Sequence, residues 1–289
     1  MERLLIVGVG DVARRALPAL VARYDTLAMV RAAGPTVPTG VRLAIGDLDH
    51  PATLAPLAGA ADVVLHFAPP DETRDGDART RNLLIALSGA RMLPRRLVYI
   101  STSGVYGDCG GARIDESRPV NPGTPRAARR VDAERAVTEW GAAAGVQTTC
   151  LRVPGIYAAD RLPVERLKRG TPVLRDEDDV YTNHVHADDL AGICVRALEP
   201  DAPPGIYNAA DDSELKMGEW FDLVADRFGL ARPPRVSRAE AARVISPMLL
   251  SFMSESRRLV NRRMKEALGI RLRYPTVFEG VPRGAAATA

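Results

Sequence analysis

The sequence predicts a doubly wound α/β fold, a parallel sheet with helices on both faces, followed by a smaller C-terminal α/β lobe. Three observations carry this. Short apolar runs alternate with helical patterns from residue 4 to residue 153, as chained strand–helix–strand units do. The runs are continuous rather than polar at every second position, which is how strands buried on both faces read. After Pro154 the rhythm gives way to loops rich in Gly, Pro and Asp between isolated elements.

In order along the chain, Leu4-Leu5-Ile6-Val7 reads as the first strand and residues 12–23 as the first helix. Residues 26–30 and 41–45 read as strands, 51–57 as a short helix, 62–67 as a strand, 79–87 as a helix and 96–100 as a strand. A helix over 127–144 and a strand over 148–153 complete the first part. Beyond it, helices are expected at 188–198, 217–228, 239–252 and 261–268, the last closed by Gly269, with a strand at 206–208. The 289 residues suffice for one large domain or two interleaved ones. The change at Pro154 divides them into 1–153 and a smaller, partly interleaved lobe, 154–289.

Composition narrows the function classes. Apolar residues at 46%, charged residues at 26% and only three cysteines describe a globular chain, not a disordered, collagen-like or disulfide-stapled one. Cys109, Cys150 and Cys194 stand too far apart for a metal spacing or a C-x-x-C pair, so no metal site is expected. No run approaches the roughly 18 apolar residues of a membrane span, and the start lacks a basic, long-apolar leader, so a cytoplasmic protein without a membrane partner is expected. The net charge of +3 is dispersed, which gives a nucleic-acid partner no support. Only Lys168, Lys216 and Lys265 are lysines, so no lysine precedes residue 168.

Gly8-Val9-Gly10-Asp11-Val12-Ala13 follows the first strand and opens the first helix. This is G-x-G-x-x-A in the strand–turn–helix setting of a Rossmann-type dinucleotide site. Gly8 allows the tight turn, Gly10 lets a pyrophosphate approach the backbone, Ala13 allows close packing, and free N–H groups of the first turn face the anion. At the end of the second strand, where an acid would bind a ribose 2′-hydroxyl, stands Arg31. A guanidinium pairs with a 2′-phosphate, so NADP(H) is preferred and NAD(H) stays open.

With further segments the chain resembles the short-chain dehydrogenase/reductase superfamily, in its extended or atypical NAD-dependent epimerase/dehydratase-like branch. The resemblance covers nearly the whole chain. It rests on the glycine turn, Gly46-Asp47-Leu48, His66-Phe67-Ala68-Pro69, the run from Tyr99 through Ser101-Thr102-Ser103 to Gly107, Leu151 to Tyr157, Asn183 to Leu190, and Tyr207 to Asp211. It implies a cofactor across the strand ends, with Asp47 and Leu48 by the adenine, Ala68 and Pro69 along the dinucleotide, and Pro154, Gly155 and Ile156 near the nicotinamide. It also implies a homodimer through the 127–144 helix, whose Arg129, Glu134, Arg135 and Glu139 read equally as a solvated face.

In this superfamily a Ser or Thr polarises the substrate, a tyrosine moves the proton, and a lysine four residues on lowers the tyrosine pKa. Thr102 matches the first. Where Y-x-x-x-K would stand, the chain has Arg126 and Arg130, and no tyrosine is followed by lysine at that spacing anywhere. A guanidinium does not shuttle protons. Arg130 would then act as a fixed cation and Arg126 as a holder of an anionic substrate, with Tyr106, Tyr157 or His186 as the remaining acids. Tyr157 and His186 are the residues expected at the substrate. The leading expectation is an NADP(H)-dependent oxidoreductase or epimerase/dehydratase-like enzyme acting on a small polar metabolite. The competing one is a cofactor-binding sensor that has lost the chemistry.

Overall fold

The structure, a computed structural model, describes residues 1–32, 37–73 and 75–284. Five strands lie in the first 102 residues, with a helical segment, among the described residues, between each consecutive pair except β2 and β3: β1 (Glu2–Val7), β2 (Tyr24–Val30), β3 (Val41–Ile45), β4 (Val63–His66) and β5 (Arg96–Thr102). With Gln147–Val153 and Gly205–Asn208 they make one seven-stranded sheet in the order Gly205–Asn208, Gln147–Val153, β5, β4, β1, β2, β3. Every pairing in it is parallel. The chain winds outward from β1 to β3, then crosses back to β4, so strand order reverses beside β1. Ligands of such sheets bind at that reversal, outside the carboxyl ends of the strands.

The continuous apolar runs have a direct cause. In β1, Leu4 and Ile6 face one core and Leu5 and Val7 the other, and all four are fully buried. Helix α1 (Asp11–Val21) and the later helix Ala187–Ala197 cover the first face. Helices α2 (Ala78–Ser88) and α3 (Pro125–Ala144) cover the second. A third core belongs to the C-terminal lobe, where Leu167, Trp220, Phe221, Val224, Met253 and Val277 pack around Tyr157. The chain passes between cores more than once. It leaves the sheet at Pro154, returns as Ala187–Ala197 and Gly205–Asn208, and leaves again. Short pairings stitch the lobe on: Gly155–Tyr157 with His184–His186, and Tyr181–Thr182 with Leu215–Lys216. Among the described residues no helix is long and apolar enough to cross a membrane.

Three local expectations change. The helix expected over 239–252 is two, Arg238–Val244 and Pro247–Ser251. A proline disfavours the helical region for the residue before it, and Ser246 is extended (ψ 147°), with its hydroxyl accepting from Leu249 N–H. The helix at Pro51–Leu57, with Pro56 inside it, winds as a tighter 3₁₀ turn. Glu134 is not on a solvated face. It is buried, and its carboxylate pairs with Arg152 at 2.8 Å while accepting from the Ser101 hydroxyl.

That pair joins α3 to two adjacent strands. The Arg152 guanidinium also lies 4.6 Å from the centre of the Tyr106 ring. Removing one member of a buried pair strands the other charge in the interior, so Glu134→Ala is expected to cost about 3–5 kcal/mol of unfolding free energy. The joint change Glu134→Leu with Arg152→Met should recover most of that loss. Urea unfolding followed by circular dichroism measures both, and an unchanged midpoint for Glu134→Ala would show that the pair does not hold α3 in place.

Candidate active site

Two cavities open along the carboxyl edge of the sheet. The first, of about 370 Å³, lies at the strand reversal and is lined by Gly8, Gly10, Arg31, Asp47, Leu48, Ala68, Pro69 and Arg79 among others. Gly8 has φ +93°, and a Cβ there would meet Ala68 N at 2.9 Å, so the protein itself demands glycine. Gly10 differs: a Cβ on it would meet nothing within 4 Å. Its missing side chain leaves open space at the start of α1, the room a pyrophosphate needs. Gly10 is also the N-cap of α1 and offers no side-chain cap, which leaves first-turn N–H groups at Asp11, Val12 and Ala13 to an incoming anion. The residues present therefore fit a dinucleotide.

An acid at that position would oppose an anion, and the structure neutralises it. Asp11 pairs with Arg15 at 3.0 Å and Arg161 at 2.8 Å. Burial pushes its carboxyl upward, but these two guanidiniums prevail and hold it below its usual range. At the far end of the cavity the Asp47 carboxylate accepts from Asp49 N–H and lies 3.0 Å from His50 Nδ1, while Arg79 pairs with Asp49. Arg31 is exposed there, and no described residue forms a hydrogen bond with its side chain.

The second cavity, of about 430 Å³, lies beyond β5 and Gln147–Val153, between the sheet and the lobe. Thr102, Ser103, Arg126 and Pro154 to Tyr157 line it from the sheet side. Arg166, Tyr181, His184, Trp220, Phe252 and Arg257 line it from the lobe. The Thr102 hydroxyl accepts from Gly104 N–H at 3.3 Å, which leaves its own proton free to donate. Arg126 is the second residue of α3, with its guanidinium 4.3 Å from the centre of the Phe252 ring. Arg130, one turn on, points elsewhere: its Nη1 donates to the Ile100 carbonyl at 2.6 Å and the Tyr99 hydroxyl at 2.9 Å. The structure thus separates the two arginines, one at the cavity and one bound into β5.

Two expected acids are turned away. Tyr106 is 1% exposed, does not line the cavity, and donates its hydroxyl to Asn208 Oδ1 at 2.8 Å. The 3₁₀ turn Ser103–Tyr106 after β5 rotates it into the interior. His186 is buried at the N-cap of Ala187–Ala197, accepting from Asp188 N–H at 3.2 Å and packed against Tyr274. Tyr157 does reach the cavity, but its hydroxyl donates to the Thr276 carbonyl at 3.3 Å, and burial, reinforced by Asp211, pushes its phenol strongly upward. His184, absent from the expected site, lines the cavity 4.4 Å from Trp220, centre to centre. Burial pushes it down to about 3, so it is neutral. Its sequence signals were its place in the Asn183 to Leu190 segment and its i, i+2 spacing with His186. Arg166, Tyr181, Trp220 and Arg257 carried no motif.

The chain as a whole has known counterparts. The profile of the NAD dependent epimerase/dehydratase family matches residues 31–210. The chain belongs to that family. Over 97% of its length, and 99% of the other chain's, it is 28% identical to the 3-diazoavenalumate denitrifying reductase of a Streptomyces species. A functionally unknown conserved protein from Silicibacter pomeroyi is 27% identical, with a TM-score of 0.76 and coverage of 97% of this chain and 96% of that one. The UDP-glucose 4-epimerase of Thermus thermophilus, solved with NAD, is similar in fold at 23% identity, with a TM-score of 0.76 and 97% of each chain covered.

Beside the second cavity, Asp211 donates its N–H to the His184 carbonyl at 2.7 Å, and its carboxylate accepts from Ser213 N–H. Burial raises this carboxyl from 3.8 to about 7. A group held neutral in the folded chain stabilises fully below its unfolded pKa and loses that contribution as pH rises through the folded value. His66 and His184, pushed down to about 3 by burial, act in the opposite sense, stabilising above 6.5 and losing that as pH falls. Asp211→Asn should therefore gain on the parent between about pH 4 and pH 8, by at most roughly 4 kcal/mol. Urea unfolding at both pH values measures this, and a pH-independent difference would show that Asp211 ionises normally.

Proposed function

We propose that the protein is a nicotinamide-dependent reductase whose substrate takes no proton from the position of the superfamily tyrosine. The observation that supports this is Arg126 facing the second cavity beside an otherwise complete dinucleotide crevice. When bound, a reduced nicotinamide would supply hydride. The Gly8 to Ala13 turn would hold its pyrophosphate, Leu48, Ala68 and Pro69 its adenosine half, and Pro154 to Ile156 its nicotinamide half.

Reduction of a carbonyl to an alcohol consumes a proton, and neither Arg126 nor Arg130 has one to give. Displacement of dinitrogen consumes none: at a diazonium carbon a C–H bond forms, the C–N bond breaks, and N₂ leaves with the bonding pair. The likeness to a denitrifying reductase along the whole chain supports this substrate type. The chain's own part is positional. Thr102 donates to the substrate, an arginine of the cavity holds its anionic group, and the aromatic walls exclude water. Arg31, at the ribose end of the first cavity, favours NADP(H) over NAD(H).

Loss of NADPH fluorescence with 4-carboxybenzenediazonium, beyond a protein-free control, and none with ketones, aldehydes or UDP-glucose, is the expected result. Turnover of a ketone or of UDP-glucose would overturn the reading. Tight NADPH binding with no turnover across the panel would assign the chain to cofactor-dependent sensing instead. That reading is favoured by Arg130 being bound into β5. Thr102→Val is expected to lower kcat/KM about tenfold. NADPH should bind at least about tenfold more tightly than NADH, a preference that Arg31→Ala removes; equal Kd values would discard Arg31 as the selector.

A further inference from the structure

We propose that the second cavity is built for a carboxylic acid with a flat apolar body, its carboxylate received by Arg166. This deepens the substrate reading above and rests on it for the cavity's role as the substrate site. The buried side-chain atoms that lack a partner among the described residues include Arg166 Nε, His184 Nδ1, Glu255 Oε1 and Arg257 Nε, and all four residues line this cavity. Buried polar atoms are nearly always paired, so this lining gathers polar side chains whose hydrogen bonding the fold leaves incomplete.

The charges resolve further. Arg257 is paired with Glu255 at 2.8 Å, and Arg161 with Asp11 at 2.8 Å, so those guanidiniums are compensated within the protein. Arg166 is not. No described carboxylate lies within ion-pair distance of it. Among the described residues its side chain makes one hydrogen bond, a long 3.4 Å contact to the Pro172 carbonyl, and its guanidinium lies 4.3 Å from the centre of the Phe221 ring. Burial pulls its pKa down to about 10, the mark of a desolvated cation without a counter-ion. A partly buried charge without a counter-ion is stabilised when an anion pairs it, and a guanidinium presents a planar fork that matches a carboxylate. Between Arg166 and Arg126 the wall is aromatic and aliphatic, with Trp220, Phe221, Leu249 and Phe252. A flat apolar body with an acidic end satisfies both. The cavity also holds Arg126 and the polar side chains of Thr124, Thr182, Asn183 and Ser251, so a nucleoside diphosphate is the competing occupant that the test must exclude.

The test is calorimetric binding of cinnamate, cinnamamide and UDP to the full chain, with and without NADPH. Cinnamate should bind at least about tenfold more tightly than cinnamamide. Arg166→Gln should remove that difference by weakening cinnamate alone, so that retained cinnamamide binding also shows the variant is folded. Arg166→Lys, which keeps the charge without the fork, should fall between. Equal binding of acid and amide, parent-like affinity in Arg166→Gln, tighter binding of UDP than of cinnamate, or no cinnamate binding would each overturn the proposal. Because the readout is binding, cinnamate held by Arg166 in a protein that consumes no NADPH would leave this site standing and remove the reductase reading. Turnover indifferent to the acid group would do the reverse.

Discussion

The carboxyl edge of the sheet is held in register by a buried ion pair. Glu134 comes from the middle of α3 and Arg152 from the strand beside β5, and the carboxylate also accepts a hydrogen bond from the Ser101 hydroxyl of β5 itself. Such a pair tolerates little displacement, because a charge that loses its partner in the interior is far worse off than one that never had it. Its effect is positional. Thr102 follows Ser101 directly, Pro154 follows Arg152 by two residues, and Arg126 lies two turns before Glu134 on the same helix. The residues that line the sheet side of the second cavity are thus placed by one interaction set just beneath it.

Charge is then handled differently at the two cavities. Beside the glycine turn three described acids are matched by guanidiniums: Asp11 by Arg15 and Arg161, and Asp160 and Asp188 by Arg15. That balance removes the repulsion an acid would exert on a pyrophosphate and leaves the helix N-terminus to act. Around Arg166 the balance is left open. A cation that the fold does not neutralise is a cation available to a ligand.

The sheet was legible because a strand buried on both faces has no polar alternation, as the split of Leu4 and Ile6 from Leu5 and Val7 shows. The glycine turn was legible because its constraint is local: Gly8 takes a backbone angle that other residues avoid. The reach of Arg126 and Thr102 into the cavity followed from their places at the ends of regular elements. What the sequence concealed depends on contacts between distant segments. Glu134 looks like any helical surface acid until Arg152 is placed against it. Tyr106 points inward because a short 3₁₀ turn intervenes, and nothing in Ser-Gly-Val-Tyr announces that rotation. The lobe face of the cavity draws on 157–184, 217–221 and 249–257, brought together by pairings only two or three residues long, too short to leave a period.

The return of the chain from the lobe to the sheet has a consequence for how this protein can be divided or recombined. Ala187–Ala197 lies over α1, and Gly205–Asn208 closes the sheet beside Gln147–Val153. A fragment ending at residue 153 would lack both, baring an apolar face and leaving an unpaired parallel strand at the edge, the template on which chains aggregate. Exchange of substrate preference between members of this fold is therefore feasible loop by loop, within 159–183 and 235–256, and not by grafting one lobe onto another's sheet.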